Sequence, residues 1–289
     1  MKKLTPSPKR AYKDNVFTHL FGKGVQGKKH FLELYNALFN ENLTDTKALE
    51  NVRLGTPFYS TVINDLAYLV EGKLFVFIEH QSTISELIIL RVLVYLILTI
   101  QKVLKAPNWF ARKMKKFPKP VFFVFYNGKE NFPLESKLQL SDFFIEGSDE
   151  FSIDLVVKVI NINYDKGHKI LEKSPILKDY AFLVKMVNEK GFDKAIDECL
   201  ELGVLKGYLE ENIMEVKNML KWEYDYDMDI AVQRAEAEAI GLEKGEAIGL
   251  EKGSYQKAIE TAKNALKMGL SVDQISILTG LSTDEIEAL

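Results

Sequence analysis

Residues 120–126, Pro-Val-Phe-Phe-Val-Phe-Tyr, form an unbroken apolar run that stops at Asn127-Gly128. A half-exposed strand alternates apolar and polar side chains; a run without polar interruption has to be covered on both faces. Asn-Gly is a turn dipeptide, so the run ends by leaving the sheet. Such a strand requires a layered domain, with helices packed on a central sheet.

The flanking sequence supplies the other layers. Residues 14–40 read as helical at both ends, with Gly22, Gly24 and Gly27 marking a break between them. Residues 51–63, rich in Val, Thr, Tyr and Phe, suggest one strand or two short ones. Residues 62–70, a turn at Glu71-Gly72-Lys73, and residues 74–80 read together as a hairpin. The apolar stretch 87–100 carries Arg91 and falls short of the roughly 20 residues a bilayer span needs. It reads as part of a helix over about 83–106, buried on nearly every side. A less regular strand lies at 153–162, and from about 167 onward apolar spacings of three and four indicate helices. The expected class is α/β: a domain over 1–165, a helical region over 166–230 on or beside it, and a C-terminal module over 231–289.

Cysteine and histidine usage narrows the chemistry. The single cysteine, Cys199, excludes an internal disulfide framework and fits a reducing cytoplasm. One Cys and four scattered His give no zinc-type ligand set, so a metal here would be a hard cation on carboxylates. The basic N-terminus has no apolar segment behind it and does not read as a signal peptide. A soluble, cytoplasmic protein without membrane partners is expected.

Charge is unevenly spread. Residues 102–119 carry Lys102, Lys105, Arg112, Lys113, Lys115, Lys116 and Lys119 and no acid, with Trp109, Phe110 and Phe117 among them. Such a cluster is either a contact for a phosphate backbone or a solvated connector, and proximity to an active site would decide.

The C-terminal module contains the repeat AIGLEKGE, AIGLEKGS over 239–254, with glycines at 241, 245, 249 and 253. Each interior glycine costs a helix about 1 kcal/mol relative to alanine. A four-residue step advances about 40° beyond a full turn, so the glycines wind slowly as a stripe. Close packing against a second helix would recover that cost, which points to self-association; a flexible linker is the alternative. Residues 271–289 suggest a helix-turn-helix, yet they contain Asp273, Asp284, Glu285 and Glu287 and no Lys or Arg. Phosphate would repel such a recognition helix, so a packing or partner-binding cap is the better reading.

The hairpin holds the chemistry. Asp65 sits within the apolar run 62–70, where an isolated carboxylate is costly to bury. Glu79 and Gln81, two apart on the second strand, point to one face, and His80 to the other. The turn can bring Asp65 beside Glu79, and two adjacent carboxylates call for a cation with a preference for oxygen, Mg²⁺ or Mn²⁺. Arg91 and Tyr95 share a helix face, and a buried Arg91 would need an anionic partner: an active-site carboxylate, a substrate phosphate or a structural ion pair.

The spacing from Asp65 to Glu79-His80-Gln81 resembles the PD-(D/E)XK nuclease signature, with Gln81 where most members carry Lys. Together with the opening DNVFTHLFG, the IEHQS strand end, Arg91-x-x-x-Tyr95, PVFFVFYNG and the glycine-repeat tail, it resembles the Rpn, or PD-(D/E)XK transposase-like, family of recombination-promoting nucleases. The resemblance implies a restriction-endonuclease-like core, a central mixed sheet flanked by helices, followed by an α-helical C-terminal region. It implies a Mg²⁺-dependent DNA endonuclease, with Mn²⁺ as a substitute, linked to recombination or mobile elements. Asp65 and Glu79 would be the metal carboxylates, the carbonyl of His80 a further ligand, and Asp14 an outer-shell group. Gln81 would orient the attacking water, while Arg91, Arg112, Lys113, Lys115 and Lys116 would meet DNA. Gln81 lacks the charge of Lys, which keeps a second reading open: a DNA-binding or oligomeric protein that retains the fold with little or no cleavage. Strand transfer by a DDE-type transposase uses a different acidic triad, and the sequence supplies none.

Overall fold

The computed structural model describes residues 15–54, 64–83, 85–104, 112–113, 116–147, 149–150 and 152–289. The expectations for Asp14, Lys115, Trp109, Phe110 and the strand segment 55–63 lie outside these residues.

The apolar runs form the middle of a six-stranded sheet. Its strands are β1 (Leu49–Asn51), β2 (Leu66–Val70), β3 (Leu74–Gln81), β4 (Lys119–Tyr126), β5 (Glu135–Gln139) and β6 (Val156–Asn161), in the order β1-β2-β3-β4-β6-β5. β3 is parallel to β4, and β4 to β6, while the remaining pairs are antiparallel, so the sheet is mixed. The hairpin of β2 and β3 turns at Glu71 and Gly72, both at positive φ, and Lys73 N–H donates to the Val70 carbonyl. β5 is absent from the sequence-based expectations. Its sequence, Glu-Ser-Lys-Leu-Gln, has neither an apolar run nor an apolar face, as befits an edge strand.

Helices cover both faces. On one lie α1 (Val16–Gly22), α2 (Gly24–Phe39), α4 (Ile170–Lys173), α5 (Pro175–Lys190) and α6 (Phe192–Glu201). Their buried residues, among them Phe17, Phe31, Leu183 and Ile196, join Tyr68, Ile78, Phe125 and Ile160 of the sheet in one core. On the other lies α3 (Ile88–Val103), whose Ile88, Val92 and Tyr95 pack with Phe77, Val124 and Val159. The parity of the strands separates the two cores, since alternate side chains point to opposite faces.

Two readings change in detail. The glycine break falls at Gly22–Gly24, with Gly24 at φ +65°; Gly27 instead lies inside α2, where a Cβ would come 3.0 Å from the Gly22 carbonyl carbon. α3 is not buried on nearly every side: Leu90, Val94 and Ile97 are 40–49% exposed, and Arg91 is exposed too. An apolar composition without a polar stripe does not reveal that only one face of the helix meets the sheet. No helix among the described residues is long and apolar enough to cross a membrane.

The chain divides into two units, Met1–Glu223 and Tyr224–Leu289. The helix α7 (Lys206–Lys267) departs from helical dihedrals at Asn212, and it carries the glycine repeat. Among the described residues, a Cβ at Gly241, Gly245, Gly249 or Gly253 would meet nothing within 4 Å. Near the C-terminus, α8 (Val272–Thr279) and α9 (Thr283–Glu287) each begin with a capping box, Ser271 with Gln274 and Ser282 with Glu285. They pack Ile275, Leu281 and Ile286 against Ala262 and Ala265 in a small core of their own.

Candidate active site

The hairpin register brings the two carboxylates together. Leu66 pairs with Ile78, which places Asp65 and Glu79 next along the ladder. The regular ladder stops there, and side chains replace its bonds. Asp65 N–H donates to Glu79 Oε1 at 2.9 Å, and His80 N–H donates to Asp65 Oδ2 at 2.8 Å. Asp65 therefore occupies a bend just before β2 rather than the middle of a strand. This lets its carboxylate reach the β3 backbone.

Glu79 is buried on the α3 face. The Tyr95 hydroxyl donates to its Oε2 at 3.3 Å, and Arg91 lies near enough to act on it through space. Burial, then the neighbouring Asp65 charge, push the Glu79 carboxyl well above the ordinary carboxylate range; Arg91 and the bonds from Asp65 and Tyr95 offset this only in part. The Tyr95 hydroxyl is raised as well, by burial first and by the Glu79 charge second. Sequence spacing gave the shared face of Arg91 and Tyr95. The structure adds that Tyr95 contacts Glu79, while Arg91 faces solvent rather than a buried partner.

Gln81 follows on the same face. Its Oε1 is buried with no hydrogen-bond partner among the described residues. Its carbonyl accepts from Asn127 N–H at 3.1 Å, which ties the end of β3 to the segment leaving β4. Gly128 makes that approach possible, because a Cβ there would lie 1.8 Å from the Ser82 carbonyl oxygen. The Asn-Gly dipeptide read as a turn serves here as a close backbone contact.

The His80 ring points the other way. It stacks on Phe17 at 5.0 Å between centroids and shares a 2.9 Å hydrogen bond with the Tyr180 hydroxyl of α5. Burial lowers its pKa to about 3, so the imidazole is neutral. Tyr180 is a residue sequence reasoning missed; it lies 100 positions from His80 and no local pattern couples them.

The basic residues fall elsewhere. Arg112, Lys113 and Lys116 are exposed. Lys119 pairs with Leu74 and Val124 with Glu79, so five residues separate Lys119 from the level of Glu79, roughly 17 Å along a strand. Lys116 thus precedes β4 at the end of the sheet opposite the carboxylates. α3 runs back from the carboxyl end of β3, which is why Arg91, in its first turns, is the cation that acts on Glu79. Among the described residues no group of three or more His, Cys, Asp or Glu side chains is placed to share an ion; the carboxylates form a pair.

A helix-flanked mixed sheet, with paired acids at the carboxyl end of a central strand, places the protein in the α/β class, consistent with the core expected from the sequence. Residues 63–200 match the family model described as "Putative transposase, YhgA-like", in agreement with the family resemblance read from the sequence. The match spans Asp65, Glu79, Gln81, Arg91 and the three parallel strands. No curated protein and no solved structure matches the chain.

Proposed function

We propose that the protein is a divalent-metal-dependent DNA endonuclease linked to mobile elements or recombination. The observation that carries this reading is the interlocked pair: two carboxylates joined through each other's strand, one of them buried beside the other's charge. An arrangement serving stability alone would not keep Glu79 where burial and Asp65 both oppose its ionisation. A hard cation reverses that balance, since oxygen ligands of negative charge are what Mg²⁺ binds.

The donors present fit such an ion. Asp65 and Glu79 would hold it, with the carbonyl of His80 as a further ligand; the unpartnered Oε1 of Gln81 adds a buried oxygen on the same side. When bound, the ion would activate water and offset charge on a phosphodiester. The protein's own groups do the positioning. The bonds from Asp65 N–H and Tyr95 O–H orient the Glu79 carboxylate, and Gln81 offers an amide to hold a water. Arg91, exposed at the carboxyl end of β3, is poised to meet a substrate phosphate.

Plasmid nicking in Mg²⁺ or Mn²⁺ tests the proposal. Asp65→Ala and Glu79→Ala are each expected to lower the rate by more than about a hundredfold, about 2.7 kcal/mol of barrier. Equal cutting by the wild type and both variants would sink the proposal. Gln81 favours one other reading, in which the protein binds DNA without cutting it, because an amide cannot supply the charge of a lysine. Salt-sensitive binding with no nicking under either metal would select that reading. Self-association through the glycine-repeat segment belongs to the same proposal, since a Cβ at any of its four glycines would meet nothing within 4 Å among the described residues. Sedimentation of the wild type and a Gly245→Leu/Gly249→Leu variant tests it, and an unchanged mass would refute it.

A further inference from the structure

A cleft of about 270 Å³ opens on the face of the sheet opposite Glu79, between the C-terminal end of α2, α4 and the strands β4, β5 and β6. Two kinds of side chain meet there. Phe39 and Phe123 lie edge to face at 5.9 Å, and with Leu38 and Ile160 they give the cleft an apolar wall. Lys158, Lys169 and Lys173 stand around it, against one lining carboxylate, Glu135.

That carboxylate is fully engaged. Lys158 Nζ lies 2.9 Å from Glu135 Oε2, and His168 Nε2 lies 2.9 Å from Oε1. His168 Nδ1 accepts from Ile170 N–H, so a neutral ring carries its proton on Nε2 and donates it to Glu135. Glu135 thus balances one lysine and anchors a buried histidine. Lys169 is exposed, and among the described residues Lys173 bonds to the neutral amide oxygen of Asn40, at 3.2 Å. Among the described lining groups two cations therefore remain without an anion, beside the partly exposed ring of Phe39.

We propose that this cleft binds a small anionic molecule with a planar aromatic body. The ring would lie on Phe39, Phe123 and Ile160, and its carboxylate or phosphate would meet Lys169 and Lys173. The volume is slightly below the roughly 300 Å³ at which ligand pockets begin, which suits one ring system rather than a polymer strand. The site is separate from the Asp65–Glu79 pair, and the inference is independent of the proposed cleavage.

Calorimetric titration of the full chain with 2-naphthoate and with adenosine 5′-monophosphate tests it, each against its uncharged counterpart, 2-naphthalenemethanol or adenosine. The two acids distinguish a carboxylate from a phosphate ligand. At least one acid is expected to bind about tenfold more tightly than its counterpart. The double substitution Lys169→Gln/Lys173→Gln, on exposed side chains, should weaken that acid about tenfold. Ala37→Leu, which fills the cleft from α2, should abolish binding while helical circular dichroism stays unchanged. The proposal is overturned if neither acid binds, if the neutral compounds bind as tightly, or if the double substitution leaves the affinity unchanged. Acetate or inorganic phosphate binding as tightly as the whole probe would overturn the aromatic half of it.

Discussion

Glu79 at the end of β3 and Glu135 at the start of β5 point to opposite faces of one sheet, and their carboxyls are displaced in opposite directions. Glu79 is buried, has Asp65 beside it, and is raised. Glu135 is 39% exposed on its side chain, receives bonds from Lys158 and His168, and is lowered. The residue type is the same; the surroundings decide. Glu135 is a carboxylate the fold has neutralised with its own cations, and Glu79 is one it has left short of positive charge. Within the chain the first carboxylate has its counter-charge, and the second has only part of it.

The largest expected effect is that of the proposed cation. Mg²⁺ at a hundred times its dissociation constant should stabilise the wild type by about 2.7 kcal/mol. That is roughly 5–10 °C in melting temperature for a domain of this size, while Asp65→Asn and Glu135→Gln serve as negative and positive controls. Equal shifts in wild type and Asp65→Asn would erase the distinction between the two glutamates.

Next comes Glu79→Gln in metal-free protein. Removing a buried carboxyl whose charge is only partly offset should raise stability near neutral pH by about 1–3 kcal/mol. The folded pKa of Glu79 lies above the unfolded one, so the folded state holds the proton more tightly. The contribution of Glu79 to stability is then fully present below the ordinary carboxylate value and is lost as pH rises through the raised folded value. Glu79→Gln should flatten that decline; an unchanged slope across a urea-unfolding pH series would refute the assignment.

Glu135→Gln has the opposite sign. Its lowered pKa adds stability above the unfolded value, and this is lost as pH falls through the lowered folded value. Solvent screens a carboxylate this exposed, so the loss at neutral pH should stay below about 1 kcal/mol in denaturant melts. Tyr95→Phe is the smallest, about 0.5 kcal/mol given the 3.3 Å contact. It should push the titration of Glu79 higher still, a shift that carboxyl NMR would follow.

Much of the frame was legible because it rests on local pattern. The run at 120–126 required two covered faces, and β4 is buried between both cores. The turn at Glu71-Gly72 fixed the hairpin, and with it the approach of Asp65 to Glu79. What stayed hidden depends on distance or on a polar edge. β5 has no apolar signal because its outer side meets solvent. The bond of Tyr180 to His80 joins segments that only the tertiary fold unites. Arg91 looked buried because its neighbours in sequence are apolar, but side chains are buried by what they face. Lys116 and Glu79 lie in adjoining stretches of sequence, yet the crossover through α3 sends them to opposite ends of the parallel strands.

The contact between Tyr180 and His80 has a consequence for the order in which the chain is made. A ribosome that has released residues 1–165 has delivered both carboxylates and all six strands, but not the helix that holds the back of His80. His80 is thus synthesised 100 residues ahead of the tyrosine that braces its ring.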